Sequence, residues 1–390
     1  MREILALNAI SDKVKEYLPE EEFDIVKESA APQAVLVRSA DMHSYELPDS
    51  VIAVARAGAG TNNIPSKEYA EKGVVVFNTP GANANAVKEL TLCALLLAGR
   101  DIIGGAEWVQ TLKGEGDQVP KLTEKGKKQF VGPELKGKKL GVIGLGAIGV
   151  LVANAALHLG MEVMGYDPFI SIDNAWLLSR QVHRAASREQ IYAECDFITM
   201  HVPLLDDTRG MINAETLAMM KPGVSIVNFS RGELVNNQDM IFALESGKVH
   251  RYVVDFPCEE MLGQKNAVVL PHIGASTPES EDNCAAMAAK ELYHYIRYGN
   301  ITNSVNFPAA ELPYTGRTRI AVAHKNVANM VGQVTGVIAA DNINISDMIN
   351  KSRGDVAYTL IDVDGDIDQK VIDDIRAING VIRVRAIMPQ

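Results

Sequence analysis

Short, continuous apolar runs rich in β-branched residues recur along the chain, each followed by a stretch of helical spacing, and this alternation restricts it to an α/β architecture. The first runs are Glu3–Ala9, Ala34–Val37, Val51–Ala55 and Val74–Phe77. A second series follows at Lys139–Gly144, Glu162–Tyr166, Phe197–Val202, Val224–Phe229, Tyr252–Asp255 and Ala267–Leu270. Unbroken rather than alternating hydrophobicity predicts strands covered on both faces, hence two doubly wound parallel sheets. The glycine- and lysine-rich stretch Lys113–Gly137 shows no apolar period and reads as surface connection. At 390 residues the chain has room for two or three domains.

The last part changes character. Phe307–Gly316 carries two prolines and is expected to be a linker. Beyond it, strands at Arg319–Ala323, Ile343–Ile349, Val356–Val363 and Val381–Ile387 interleave with helices at Val327–Ala340 and Gln369–Asn379. That β-α-β-β-α-β order over residues 317–390 is the ferredoxin-like split unit.

Composition narrows the function classes. A net charge of −11 argues against a broad nucleic-acid or anionic-membrane footprint. The most apolar stretch, Leu90–Gly99, is too short to span a bilayer. The four cysteines (93, 195, 258 and 284) are scattered, and no basic-apolar leader opens the sequence, so a reduced, cytoplasmic protein is expected. Asp362-Val363-Asp364-Gly365-Asp366 resembles a calcium loop only superficially: its glycine is misplaced and no Glu closes it. No metal site is expected.

The strongest local signal is Lys139–Ile143 running straight into Gly144-Leu145-Gly146-Ala147-Ile148-Gly149 and then a helical pattern. Strand, glycine turn and helix together point to a Rossmann unit: glycines let the backbone approach a pyrophosphate, and the helix start offers unpaired N–H groups and a positive dipole end. Asp167 ends the next strand eighteen positions after Gly149, where an acid accepts ribose hydroxyls and repels a 2′-phosphate. NAD is therefore the expected cofactor.

Ligands of open α/β sheets gather at the carboxyl ends of the strands. There stand Ser230-Arg231-Gly232, then Asp255 with Glu259 and Glu260 beyond it, then Pro271-His272-Ile273-Gly274. A forked guanidinium suits a substrate carboxylate. An imidazole suits transfer of a hydroxyl proton, and a nearby carboxylate raises its basicity and fixes its tautomer.

These motifs resemble the D-2-hydroxyacid dehydrogenases: the Gly144–Gly149 loop, Tyr166-Asp167, His201-Val202-Pro203, Asn228-Phe229-Ser230-Arg231-Gly232 and Pro271-His272-Ile273-Gly274. The resemblance implies a flavodoxin-like substrate-binding domain (1–95 with 280–306) and a Rossmann NAD domain (96–279). It implies Arg231 as carboxylate anchor, His272 as acid/base, and a Glu as its partner. An ungapped count favours Glu260 for that partner, and sliding Phe256-Pro257 favours Glu259. Asp255 would meet the nicotinamide amide; His201, Val202, Pro203, Phe229, Ser230 and Gly274 would line the cofactor. Substrate would be held by Arg38, Ser39, Arg56, Ala57, Gly58, Asn78 and Asn83, with Arg38, helped by Lys88 or Arg56, as the candidate for a phosphate. Position 40 is Ala where some members carry a second Arg.

The terminal unit resembles an ACT regulatory domain. With such a tail, the resemblance implies oxidation of 3-phospho-D-glycerate to 3-phosphohydroxypyruvate in a homo-oligomer, dimer or tetramer, with L-serine as effector. His324, Asn326 and Asn344 are the matching effector positions, although Val327-Ala328-Asn329 replaces the family's Arg-Pro-Gly. Two alternatives stay open: a glyoxylate or hydroxypyruvate reductase, and a non-catalytic NAD(H)-sensing protein.

Overall fold

The computed structural model describes residues 1–389. The chain divides into two compact units, Met1–Asn83 with Pro278 onward, and Ala84–Thr277.

In the first unit, β1 (Arg2–Ala6), β2 (Phe23–Val26), β3 (Ala34–Val37), β4 (Ala53–Arg56) and β5 (Val75–Phe77) form a parallel sheet in the order β2-β1-β3-β4-β5. All four residues of β3 are buried, which is the two-sided coverage its unbroken apolar run calls for. β2 escapes the sequence pattern because its exposed Asp24 interrupts the run. The 21-residue helix Pro278–Tyr298 lays Ala285, Ala288, Ala289, Leu292 and Ile296 against Leu36, Ala53, Ala55 and Phe77. After that helix the chain returns beside β5. Val305 donates to the Val76 carbonyl, and the buried Asn306 carboxamide accepts from the Val76 N–H while donating to the carbonyls of Ser66 and Val74.

The second unit holds seven parallel strands: β6 (Lys139–Ile143), β7 (Glu162–Tyr166), β8 (His183–Arg184), β9 (Phe197–Met200), β10 (Val224–Asn228), β11 (Val249–Val254) and β12 (Ala267–Val269). Their order is β12-β11-β10-β9-β6-β7-β8, a doubly wound sheet whose order reverses beside β6. The helix Ala84–Gly99 packs Val87, Ala94, Leu95 and Ala98 against Leu140, Val142, Val150 and Ala153, so it sits in this unit rather than in the first. The expected polar connection contains a helix, Val119–Gly126, and the ring of Trp108 meets Phe130 at 5.4 Å. No helix among the described residues is long and apolar enough to cross a membrane.

The last four strands, β13 (Thr318–Lys325), β14 (Ile345–Arg353), β15 (Val356–Val363) and β16 (Val381–Ile387), form an antiparallel sheet in the order β14-β15-β13-β16. Helices Met330–Ala340 and Gln369–Arg376 complete the β-α-β-β-α-β sequence. Ile320, Val322, Ile361 and Val363 pack with Val334, Ile338, Val371 and Ile375 of those helices. The other face carries Ala321, Ala323, Tyr358 and Leu360 into the cluster formed by Leu292, Tyr295 and Phe307. Fully buried Arg319 makes a two-pronged pair with Asp362 (2.6 and 2.8 Å) and donates to the carbonyls of Tyr298, Leu312 and Pro313. The expected linker is therefore packed: Phe307, Ala310 and Leu312 are buried.

Glu291 lies buried on the long helix, with Oε1 accepting from the Asn303 carboxamide at 2.6 Å. Burial pushes its carboxyl up from 4.5 to about 8. The folded chain thus retains a proton that the unfolded chain has lost, so stability is fullest below pH 4.5 and falls as pH rises through about 8. Denaturant unfolding at a series of pH values should show this decline, and Glu291→Gln, which cannot ionise, should flatten it.

Candidate active site

β6 delivers its carboxyl end into a glycine turn that tolerates nothing larger at two positions. Gly144 has φ +92°, and a Cβ there would come within 2.7 Å of the His201 carbonyl carbon; the turn closes between the two segments. Gly149 packs directly on Gly144, where a side chain has no room. Gly146 differs: a Cβ would meet nothing within 4 Å, so the space over the start of helix Ala147–His158 is open. The first N–H groups of that helix have no partner within it. This is the cradle a pyrophosphate requires.

At the end of β7, Asp167 is fixed from both sides. Its Oδ2 accepts from the Leu145 N–H and its Oδ1 from the Phe169 N–H, each at 2.8 Å. It lines a cleft of about 260 Å³ with Leu145, Ile170, Val182, Arg184 and Ala185, a mostly apolar recess with one carboxylate. That donor set and shape fit the adenosine end of a dinucleotide.

Asp255, at the end of β11, is 1% exposed. Its Oδ2 accepts from the Gly274 N–H at 3.2 Å, while Oδ1 is buried without a partner. Burial pushes its carboxyl above the usual range, and the charges of His272 and Arg231 pull it back down. The Asp255 carboxylate thereby ties the end of β11 to the loop that carries His272, two residues before Gly274. His272 has φ +51°, and its ring lies 4.8 Å from that of Phe256. The Arg231 guanidinium donates to the Ser230 carbonyl, and the Asn228 carboxamide holds the loop through the Arg231 carbonyl and the Ser230 N–H. Ser230 Oγ donates to the Met200 carbonyl across the sheet.

Glu259 and Glu260 open a short 3₁₀ turn, both exposed. Hydrogen bonds to the Glu260 carboxylate from its own backbone N–H and from the Cys258 thiol lower its carboxyl. His201 is enclosed: burial holds its imidazole down to about 4, and Nε2 meets Thr199 Oγ1 at 3.1 Å. It is neutral at physiological pH. Thr208 Oγ1 donates to the Pro203 carbonyl, fixing the loop that follows Val202.

The first unit presents its own set. Asn8 Oδ1 accepts from the backbone N–H groups of Arg38, Ser39 and Ala40, each at 3.0 Å. Those amides are therefore engaged, leaving side chains for any ligand. Sequence reasoning missed Asn8, although it follows the first strand at the same rim. Arg56 donates through Nε to the Arg38 carbonyl and through Nη1 to the Gly60 carbonyl, bracing the Ala57-Gly58 loop from beneath. Asn78 Nδ2 donates to the Ala59 carbonyl, and Asn83 lies in the turn that follows β5. Arg38 pairs with Glu281 at 2.6 Å.

The three effector candidates do not converge within one chain. His324 is buried, bonded to the Lys325 carbonyl and to Thr359 Oγ1. Asn326 follows β13 and donates to the Gly354 carbonyl. Asn344 precedes β14, donates to Asp364 just beyond β15, and lies level with the opposite end of β13, roughly 20 Å along the strands at 3.3 Å per residue.

A doubly wound sheet with a glycine cradle at the start of a helix, a carboxylate in the adjoining cleft and a buried Asp255 at the same rim defines a dinucleotide-binding protein of the dehydrogenase type. Residues 92–274 match the model of the D-isomer specific 2-hydroxyacid dehydrogenase NAD-binding domain. A putative D-3-phosphoglycerate dehydrogenase of Schizosaccharomyces pombe is 30% identical over 371 residues, covering 88% of this chain and 75% of that protein. The D-3-phosphoglycerate dehydrogenase of Synechocystis is 32% identical over 341 residues, 85% of this chain. The chain spans 58% of that relative's length. The NAD+-bound 3-phosphoglycerate dehydrogenase of Entamoeba histolytica superposes with a TM-score of 0.61 at 25% identity, covering 78% of this chain and 98% of that one. The chain belongs to the D-isomer specific 2-hydroxyacid dehydrogenase family, and residues 92–274 are its NAD-binding domain.

Because the space at Gly146 is open, Gly146→Val should fold with an unchanged Tm yet bind NADH at least about tenfold more weakly, a loss of ~1.4 kcal/mol. Fluorescence titration with NADH beside a thermal melt checks both halves.

Proposed function

We propose that the protein is an NAD-dependent D-3-phosphoglycerate dehydrogenase, oxidising 3-phospho-D-glycerate to 3-phosphohydroxypyruvate, the entry step of L-serine synthesis. The observation that carries this reading is Asp255, buried at the end of β11 with one oxygen accepting from the Gly274 N–H two residues beyond His272 and the other without a partner. The names of relatives matching 82–88% of the chain supply the substrate.

In this reading the bound dinucleotide supplies a hydride acceptor. Arg231 grips the substrate carboxylate with its fork of donors and polarises the C2 oxygen. His272 takes the proton from the C2 hydroxyl. The unpaired Oδ1 of Asp255 would hold an amide donor of the bound dinucleotide, and the Asp255 charge would steady the imidazolium. Glu260, or Glu259, is the acid partner of His272 in this reading. Arg38 meets the phosphate. Replacing His272 with Ala should lower kcat by ~10²–10⁴ and leave the Kd for NADH within about twofold. Turnover retained at the wild-type rate removes His272 from this role.

A glyoxylate or hydroxypyruvate reductase is the second reading, favoured by Ala40 and by the engagement of Arg38 with Glu281. NADH oxidation with phosphohydroxypyruvate, hydroxypyruvate and glyoxylate separates the two.

The C-terminal sheet is proposed to act as an ACT-type regulatory module with L-serine as effector. Since Asn326 and Asn344 lie at opposite ends of the sheet, a site using both needs the modules of two chains. Serine should therefore inhibit with a potency that depends on protein concentration around the assembly threshold. Activity unaffected by saturating serine sinks this assignment.

A further inference from the structure

The Arg38 guanidinium is the candidate phosphate contact, and in the folded chain it is already occupied. Its Nη2 lies 2.6 Å from Glu281 Oε1 on the first turn of the long helix Pro278–Tyr298. The two side chains are about equally exposed, 41% and 43%. The backbone on both sides of this pair is fixed. Asn8 holds the amides of residues 38–40, Arg56 holds the Arg38 carbonyl, and Asp282, next to Glu281, accepts from Ser11. The pair is therefore presented at a defined place rather than formed by two wandering side chains.

An exposed ion pair of this kind is weak, so a ligand can reopen it at small cost. Its effect on an incoming ligand is not small in the same way. A carboxylate within contact distance of the guanidinium neutralises the charge that a dianionic phosphate seeks, and repels that phosphate directly. A neutral hydroxymethyl group at the same position feels neither effect. We propose that Glu281 is a specificity-determining residue: it competes with the substrate phosphate for Arg38 and so lowers the preference for phosphorylated over unphosphorylated three-carbon 2-hydroxy acids. This rests on the reading of Arg38 as the phosphate contact. Glu281 acts through Arg38 and is a positioning residue.

The experiment compares kcat/KM for phosphohydroxypyruvate and hydroxypyruvate, with NADH, in the wild type, Glu281→Gln, Arg38→Gln and the double variant. Glu281→Gln should raise the ratio of the two specificity constants about tenfold, through a lower KM for the phosphorylated acid with kcat little moved. Inorganic phosphate should also inhibit this variant at lower concentration. In the Arg38→Gln background the same substitution should change the ratio by less than about twofold. A ratio unaltered by Glu281→Gln, or an equal effect with and without Arg38, overturns the proposal. If the wild type reduces neither keto acid, the functional reading fails instead, and the phosphate titration, read as protection of the pair in a thermal melt, still tests whether Glu281 opposes anion binding at Arg38. Glu281→Lys provides a second variant, expected to shift the ratio further in the same direction; a shift the other way counts against the charge mechanism.

Discussion

A carboxylate buried at a strand end is the constraint around which the second unit's rim is arranged. Asp255 has given up its water, and one of its oxygens has nothing to replace it. Such a group is costly unless donors and cations are brought to it. The Gly274 N–H and the charges of His272 and Arg231 do this. The loop that brings His272 there is tied on either side of a left-handed residue. The His272 N–H bonds back to the Leu270 carbonyl, and Gly274 bonds to Asp255. A side-chain-bearing residue at φ +51° costs on the order of 1–2 kcal/mol, which only such a doubly anchored loop sustains. Strain, burial and charge thus meet at one end of one sheet.

Parallel topology explains why they meet there. Each crossover returns the chain to start the next strand from the same side, so every carboxyl end faces one rim. The first unit obeys the same rule with a different outcome. Its rim is stiffened by groups that satisfy backbone atoms: Asn8 for three amides, Arg56 for two carbonyls, Asn78 for one. With those groups committed to the loops, Arg38 stands on a rigid base, and its partner Glu281 comes from another element of the same unit.

What the sequence displayed depended on how local its cause was. The turn from Lys139 to Gly149 is dictated by glycine sterics and was legible residue by residue, as was β3 with its unbroken apolar run. β2 and β8 were not, because Asp24 breaks one and the other is only His183–Arg184. The helix Val119–Gly126 is short, carries few apolar side chains and buries none of them, so it left little mark in the apolar pattern. That Arg231, Asp255 and His272 follow strand ends of one sheet could be read from the apolar runs that precede them. The acid partner could not: Glu259 and Glu260 sit side by side on a short exposed turn, and nothing local distinguishes them. Asn8 and Glu281 were missed because each acts on residues about thirty or more positions away.

The C-terminal sheet shows how a local pattern can carry a distant message that a domain-by-domain reading overlooks. A ferredoxin-like unit covers one face of its sheet with its own two helices and leaves the other free, which would give β13 an alternating pattern. Instead Thr318 to His324 are all buried. The residues facing the module's own helices are large, Ile320 and Val322, whereas those facing away are small, Ala321 and Ala323. Small side chains let a sheet approach a helix closely, and Leu292, Tyr295 and Phe307 fill the space they leave. Arg319, Tyr358 and Arg385 then donate to carbonyls at or just beyond the last turn of the long helix, where acceptors lack partners. The unbroken apolar run of β13 is therefore the signature of a covered second face. Any motion of this sheet away from the helix must strip that face and leave the helix carbonyls without the donors that Arg319, Tyr358 and Arg385 bring, so the end of the long helix is bound to follow the sheet.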